Sequence, residues 1–192
     1  MATTAVPNER IETVYDRLGD LLKEGDDAFV EDGPGIVKEA LSEPGFLDGV
    51  ETEPATDSYT RAKVIGEPGG HVIRYMEWPP EYTLMPHEHH GRPCFEVLVD
   101  GTLALTDMVP TEVEEGRYEM DIEGITTCRE NDAGVVDPRT GNDVHAVYSP
   151  ERTRSLHCYP DDAFHSYGYV QEDEDDPSND YYRRERFELD DD

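Results

Sequence analysis

Between Ile11 and Leu22 the apolar residues are Ile11, Val14, Tyr15, Leu18, Leu21 and Leu22. That 3.6-residue spacing predicts a helix over 11–22, with Asn8 as its cap. Residues 34–42, PGIVKEALS, predict a second short helix. Pro34 suits a first helical turn, and Ile36, Val37, Ala40 and Leu41 share a face. From Tyr59 onward the pattern changes to short apolar or alternating runs broken by Gly, Pro and Asp. The runs are 62–65, 71–78, 82–85, 95–99, 102–108, 134–136, 144–148, 155–159 and 167–170. Few are long enough for a helix, so an antiparallel sandwich or barrel is expected, with the two helices covering one end or face. Asp100-Gly101 lies between two such runs and reads as a two-residue hairpin turn. Residues 42–58 are the best linker between helices and sheet. The segment 171–180 carries six acids and no base and reads as a solvated loop. Residues 181–189 are expected to return to the body as a strand. No internal repeat or clean boundary is visible, so 1–192 is expected to form a single domain.

Composition narrows the function. The chain has 192 residues, 46 acidic and 16 basic, for a formal net charge of -30. A nucleic-acid phosphate binder needs Lys and Arg, and an anionic membrane surface would repel this chain. No apolar run is long enough to span a bilayer, and no secretory signal is visible, so a cytoplasmic location is expected. The acids are spread along the chain, and only Lys23, Lys38 and Lys63 are lysines. Such charge repels itself in dilute salt and is screened at molar salt, where the Debye length falls to about 3 Å. A halophilic, salt-rich cytoplasm is the expectation, to be checked by a rise in melting temperature with KCl. The three cysteines, Cys94, Cys128 and Cys158, form neither a CxxC pair nor an even disulfide framework.

The chemistry concentrates in His87-Glu88-His89-His90. On a strand, His87 and His89 project from one face, making half a metal site. A solvated histidine run is the plain alternative, but Pro86 before the pair and an apolar run after it lead the pair into a sheet. A third ligand must come from another strand. His145 in DVHAVY is best placed, and His157 in SLHCY is second. Zincin motifs, the nucleophile elbow, the dinucleotide fingerprint and the P-loop are all absent.

The segment PHEHHGRPCFEVLVDG, 86–101, resembles the first motif of the cupin superfamily. Where many cupins carry a glutamate ligand, this chain has Cys94, as in the cysteine dioxygenase-like branch. Tyr59-Thr60-Arg61, His145 and Ser155-Leu156-His157-Cys158-Tyr159 resemble further elements of that branch. The PP that follows SLH-x-Y there is missing, and the interval from His145 to His157 is shorter.

The resemblance covers about 59–160. It implies a mainly β, cupin-type double-stranded β-helix (jelly roll) with two short N-terminal helices. It also implies Fe(2+) held by His87, His89 and His145, and Arg61 on a substrate carboxylate. His157 and Tyr159 would pair beside the iron. Tyr59 would line the pocket, and Cys94 and Tyr159 could be crosslinked.

Three neutral imidazoles leave the full metal charge to attract an anionic thiolate. The expected activity is an iron thiol dioxygenase acting on a small thiol and O2, cysteine first. The alternatives are 3-mercaptopropionate as substrate, a non-oxygenase metal-binding cupin that binds or senses a small ligand, or a cupin with an empty site. The oligomeric state, monomer or homodimer, is open. For single residues the plainer readings are a surface ion pair for Arg61, core packing for Tyr59 and Tyr159, and a small core residue for Cys94.

Overall fold

The computed structural model describes residues 8–141, 143–162, 165–173 and 180–188. Helix α1 spans Glu9–Glu24. Its start is fixed by Asn8, whose Oδ1 accepts from the Arg10 and Ile11 amides at 3.1 Å each. Helix α2 spans Asp26–Leu41, starting eight residues before the predicted Pro34. Pro34 sits inside it and removes one backbone hydrogen bond, a defect costing about 3 kcal/mol. Burial of Phe29 and Val30, each contributing about 1.5–3 kcal/mol, offsets that cost.

Eleven strands follow among the described residues: β1 Thr60–Gly66, β2 Val72–Trp78, β3 Tyr82–Glu88, β4 Cys94–Asp100, β5 Thr102–Glu114, β6 Arg117–Arg129, β7 Ala133–Val136, β8 Val144–Ser149, β9 Thr153–Tyr159, β10 His165–Gln171 and β11 Tyr181–Glu188. One sheet has the order β1-β2-β9-β4-β7. The other, β10-β11-β6-β5-β8-β3, closes on itself where Gly168 pairs with His87. All the strand pairs are antiparallel, and the two sheets form the cupin-type jelly roll with two N-terminal helices.

The helices cover the outer face of the first sheet. Ile11, Val14, Leu18, Phe29 and Val37 pack on Ile73, Tyr75, Phe95, Val97 and Leu156. Phe46, in the stretch read as a linker, is buried in the same cluster, and its carbonyl accepts from Asn8 Nδ2 at 2.9 Å. Between the sheets lie Met76, Trp78, Leu98, Leu103, Leu105 and Val147. A third cluster, Met108, Val144 and Tyr169, lies on the far side of the second sheet.

Two sequence expectations need correction. Asp100-Gly101 is not a hairpin, because β4 pairs with β9 and β7 whereas β5 pairs with β6 and β8. The chain crosses from one sheet to the other there. Gly101, at φ 79°, fits against Thr153, whose Oγ1 would lie 2.4 Å from an added Cβ. Strand β6 was not anticipated at all. The acidic segment is only partly described: Gln171 ends β10, Glu172 accepts from Arg117 and Arg183 at 3.1 Å each, and 174–179 lie outside the described residues.

Candidate metal centre

Strand β3 carries one more residue than β8 between the pairs Leu84–Val147 and His87–His145. This bulge at Met85-Pro86 reverses the facing of everything after it. Leu84 and His87 therefore both point between the sheets, where strict alternation would have turned His87 outward. His89 lies just past the end of β3. Its amide donates to the Asp143 carbonyl at 3.1 Å, which ties it to the start of β8.

The rings of His87, His89 and His145 converge. Their centroids are 5.1 Å apart for 87–89, 4.7 Å for 87–145 and 4.8 Å for 89–145. One ligand nitrogen from each lies within 4.8 Å of the other two. His87 Nδ1 donates to the Met85 carbonyl at 3.0 Å, and His89 Nδ1 donates to the Asp143 carbonyl at 3.3 Å. A carbonyl only accepts, so both Nδ1 atoms carry the proton and Nε2 keeps its lone pair for a metal. Burial holds all three imidazoles neutral, lowering His87 to about 4, His89 to about 3 and His145 well below its ordinary value. Neutral rings are the ligating form, so this cluster is capable of coordinating a divalent metal ion.

The cluster opens into a cavity of about 850 Å³, counting its mouth. The wall opposite is the inner face of the first sheet. Arg74, His157, Glu96 and Gly134 follow one another across β2, β9, β4 and β7. Arg61 lies opposite Met76 and is only 6% exposed. Burial, with the positive charge of Arg61 adding to it, lowers the imidazole of His157 to about 3. Arg74 is 1% exposed and bonded to Asp162, which also accepts from Lys63 at 2.6 Å. Tyr59 lines the cavity and stacks on Trp78 with centroids 5.1 Å apart.

A chain of hydrogen bonds runs along β9. Trp78 Nε1 donates to Ser155 Oγ at 2.9 Å, Ser155 Oγ lies 2.9 Å from His157 Nε2, and His157 Nδ1 lies 3.4 Å from the Tyr159 hydroxyl. Run in one direction, each group donates to the next and Tyr159 keeps its own proton for a ligand. Burial raises Tyr159 far above the ordinary phenol range, and the nearby Cys94 adds to the effect. Phe95 pairs with Cys158, so Cys94 and Tyr159 fall side by side on the inner face of adjacent strands. Burial also keeps Cys94 as a thiol.

Ser155, behind His157 in the hydrogen-bonded chain, and Glu96, in the cavity lining, are among the residues that carried no assigned role in the sequence. Ser155 shares its face with His157 and Tyr159 through simple i, i+2 spacing, which was visible. Glu96 follows Cys94 by the same spacing. His71 lies elsewhere, stacked on Tyr15 at 3.8 Å, and the side chain of His165 is outside the described residues.

No family model matches the sequence, and no curated protein matches it. Among solved structures the chain is similar to a cupin superfamily protein from Desulfitobacterium hafniense DCB-2, at 13% identity over 57% of this chain and 84% of the other, TM-score 0.43. It is similar to an RmlC-like cupin from Shewanella frigidimarina NCIMB 400, at 14% identity over 59% and 84%, TM-score 0.43. The cupin domain of Cnp3 from Schizosaccharomyces pombe gives 10% identity over 60% and 72%, TM-score 0.44. The strand topology and the three histidines together describe a cupin-type β-fold with a metal-binding cluster. No helix among the described residues is long and apolar enough to cross a membrane.

Proposed function

We propose that the protein is an iron(II)-dependent thiol dioxygenase that converts a small carboxylated thiol, cysteine first, to its sulfinic acid. The observation that carries this reading is an all-histidine donor set facing a buried arginine across one cavity. Iron(II) held by His87, His89 and His145 would supply the redox centre at which a thiolate sulfur reacts with dioxygen. Because the three rings bring no negative charge, the site favours an anionic sulfur ligand.

Arg61 binds the substrate carboxylate, with its planar fork suited to two parallel hydrogen bonds. The Trp78–Ser155–His157 chain fixes the Tyr159 hydroxyl, which donates its hydrogen to the bound substrate and stays protonated. Tyr59 and Trp78 exclude water from one wall. A thioether between Cys94 and Tyr159, formed with loss of two hydrogens and dioxygen as the oxidant, is part of this reading and would be revealed by intact mass.

The test is anaerobic iron loading followed by oxygen uptake with a panel of thiols, with the product mass showing two added oxygen atoms per thiol. Arg61→Ala is expected to cost carboxylated thiols about 10- to 100-fold in kcat/KM, the loss of a charge-assisted contact of about 1.5–3 kcal/mol, and cysteamine far less. Equal losses for both would remove Arg61 from this role. No thiol consumed by the iron-loaded protein would leave a metal-bound cupin that holds or senses a ligand.

A further inference from the structure

His87 and His89 flank a glutamate whose carboxylate is taken up by the β10–β11 pair of strands. Glu88 Oε1 accepts from the Tyr169 hydroxyl and from Arg184 Nε at 2.6 Å each, and Oε2 accepts from Arg184 Nη2 at 2.8 Å. The guanidinium thus grips both carboxylate oxygens at once. The Glu88 carbonyl accepts from Ser166 Oγ at 2.6 Å. Three residues of β10 and β11 therefore converge on the one residue that separates two ligands. Tyr169 and Ser166 are buried, and the Arg184 guanidinium sits over the Tyr167 ring, 3.6 Å from its centroid. The Glu88 side chain is only 11% exposed, so solvent and salt screen this ion pair less than an ordinary surface bridge.

The backbone gives the ligand segment little hold on that side. Among the described residues β3 and β10 share a single residue pair, His87 with Gly168. On its other side β3 pairs with β8 as far as Glu88, and the His89 amide reaches the Asp143 carbonyl. The chain then turns away through His90 and Gly91, left-handed at φ 57° and 70°. Two of the three donors therefore sit at a strand end, held toward β10 chiefly by Glu88 and its partners. A swing of the backbone at Glu88 would change the angle between the two rings. A metal site tolerates only about 0.2 Å of error at each donor.

We infer that Arg184 and Tyr169 are positioning residues for the metal centre, which fix Glu88 and through it set the relative orientation of His87 and His89. This rests on the metal-binding part of the reading above and not on its substrate. The β10–β11 pair is then part of the site although it supplies no donor to the metal.

Co(2+) is the probe, because its visible absorption reports coordination geometry and competition with a chelator gives its affinity. Arg184→Leu is expected to weaken Co(2+) about tenfold and to alter the band, the lower end of the effect of removing groups that orient metal ligands. Tyr169→Phe should lose less. Arg184→Lys keeps the charge without the fork and should recover part of the loss. Arg183→Leu removes the neighbouring contact to Glu172 and should leave affinity and band unchanged. In a Glu88→Ala background Arg184→Leu should add little, since its carboxylate partner is already gone. Wild-type affinity and band in folded Arg184→Leu would overturn the assignment. So would an equal loss in Arg183→Leu, or an undiminished further loss in the Glu88→Ala background. If Arg184→Leu does not fold, Arg184→Lys and Tyr169→Phe decide on the same readouts. A wild type that binds no Co(2+) would overturn the metal centre and its brace together. A protein that binds Co(2+) but consumes no thiol when loaded with iron would sink only the dioxygenase reading, and the affinity ratios would still decide the role of Arg184.

Discussion

The two faces of the β1-β2-β9-β4-β7 sheet are built from the same strands and carry opposite duties. Toward the helices, Ile73, Tyr75, Phe95, Val97 and Leu156 form a close-packed apolar layer. Toward the second sheet, the alternate positions hold Arg74, Glu96, Ser155, His157 and Tyr159, all buried or nearly so. Burial is common to both, so depth alone does not distinguish a stabilising face from a reactive one. The difference lies in what satisfies each side chain. The apolar face is satisfied by packing, whereas the polar face depends on hydrogen bonds and an ion pair and leaves Glu96 Oε1 without a partner among the described residues.

Substitutions on either side should separate these duties. The largest effect is expected from His145→Ala, which leaves two ligands. Tightly bound metal, read by elemental analysis, should be lost, while the stability of the metal-free protein falls far less than in the next case. Phe95→Ala empties the centre of the helix-covered face and should cost about 3–5 kcal/mol in denaturant unfolding. Metal stoichiometry of the folded fraction should stay at the wild-type level.

Glu96→Leu tests the polar face itself. The folded carboxyl titrates at about 7 and the unfolded one near its ordinary 4.5. Between those values the native state holds the extra proton, so wild-type stability falls as pH rises through this window and the penalty is complete above about pH 7. The variant lacks this penalty. Its advantage over the wild type should grow by about 3 kcal/mol between pH 4.5 and pH 8, measured on metal-free protein. A pH-independent difference would show that the carboxyl is not held protonated. The smallest effect is expected from Asn8→Ala, which removes the α1 cap and should cost about 1 kcal/mol without changing metal content.

The sequence made some of this legible for identifiable reasons. Helix α1 was readable because only one of its faces is buried, leaving the 3.6 period intact. His87, His89 and His145 stood out because imidazoles beside apolar strand residues need a partner. Strands β2 and β4 showed no clean alternation because the helices bury one face and the other sheet buries the other. Strand β6 escaped notice although Tyr118, Met120 and Ile122 alternate with Glu119, Asp121 and Glu123; that signal was legible, but it is short and the strand is mostly exposed, so it does not stand out as a core run. The start of α2 was hidden by Pro34 and by four acids among residues 26–33. The Asp100-Gly101 turn was judged by local chemistry, whereas tertiary pairing decides whether a turn makes a hairpin or a crossing. Glu96 gave no signal of its own in the sequence; its setting depends on Gly134 of β7 and Leu105 of β5, which only the folded sheets bring against it.

The bulge at Met85-Pro86 gives the protein a single point of failure. Deleting Met85 would turn the three-residue step from Leu84 to His87 into an ordinary two-residue one and leave the first imidazole facing inward. Inserting one residue there would instead rotate that imidazole to the wrong side of the sheet, and a motif search would go on reporting an intact signature for a protein that had lost its grip on metal.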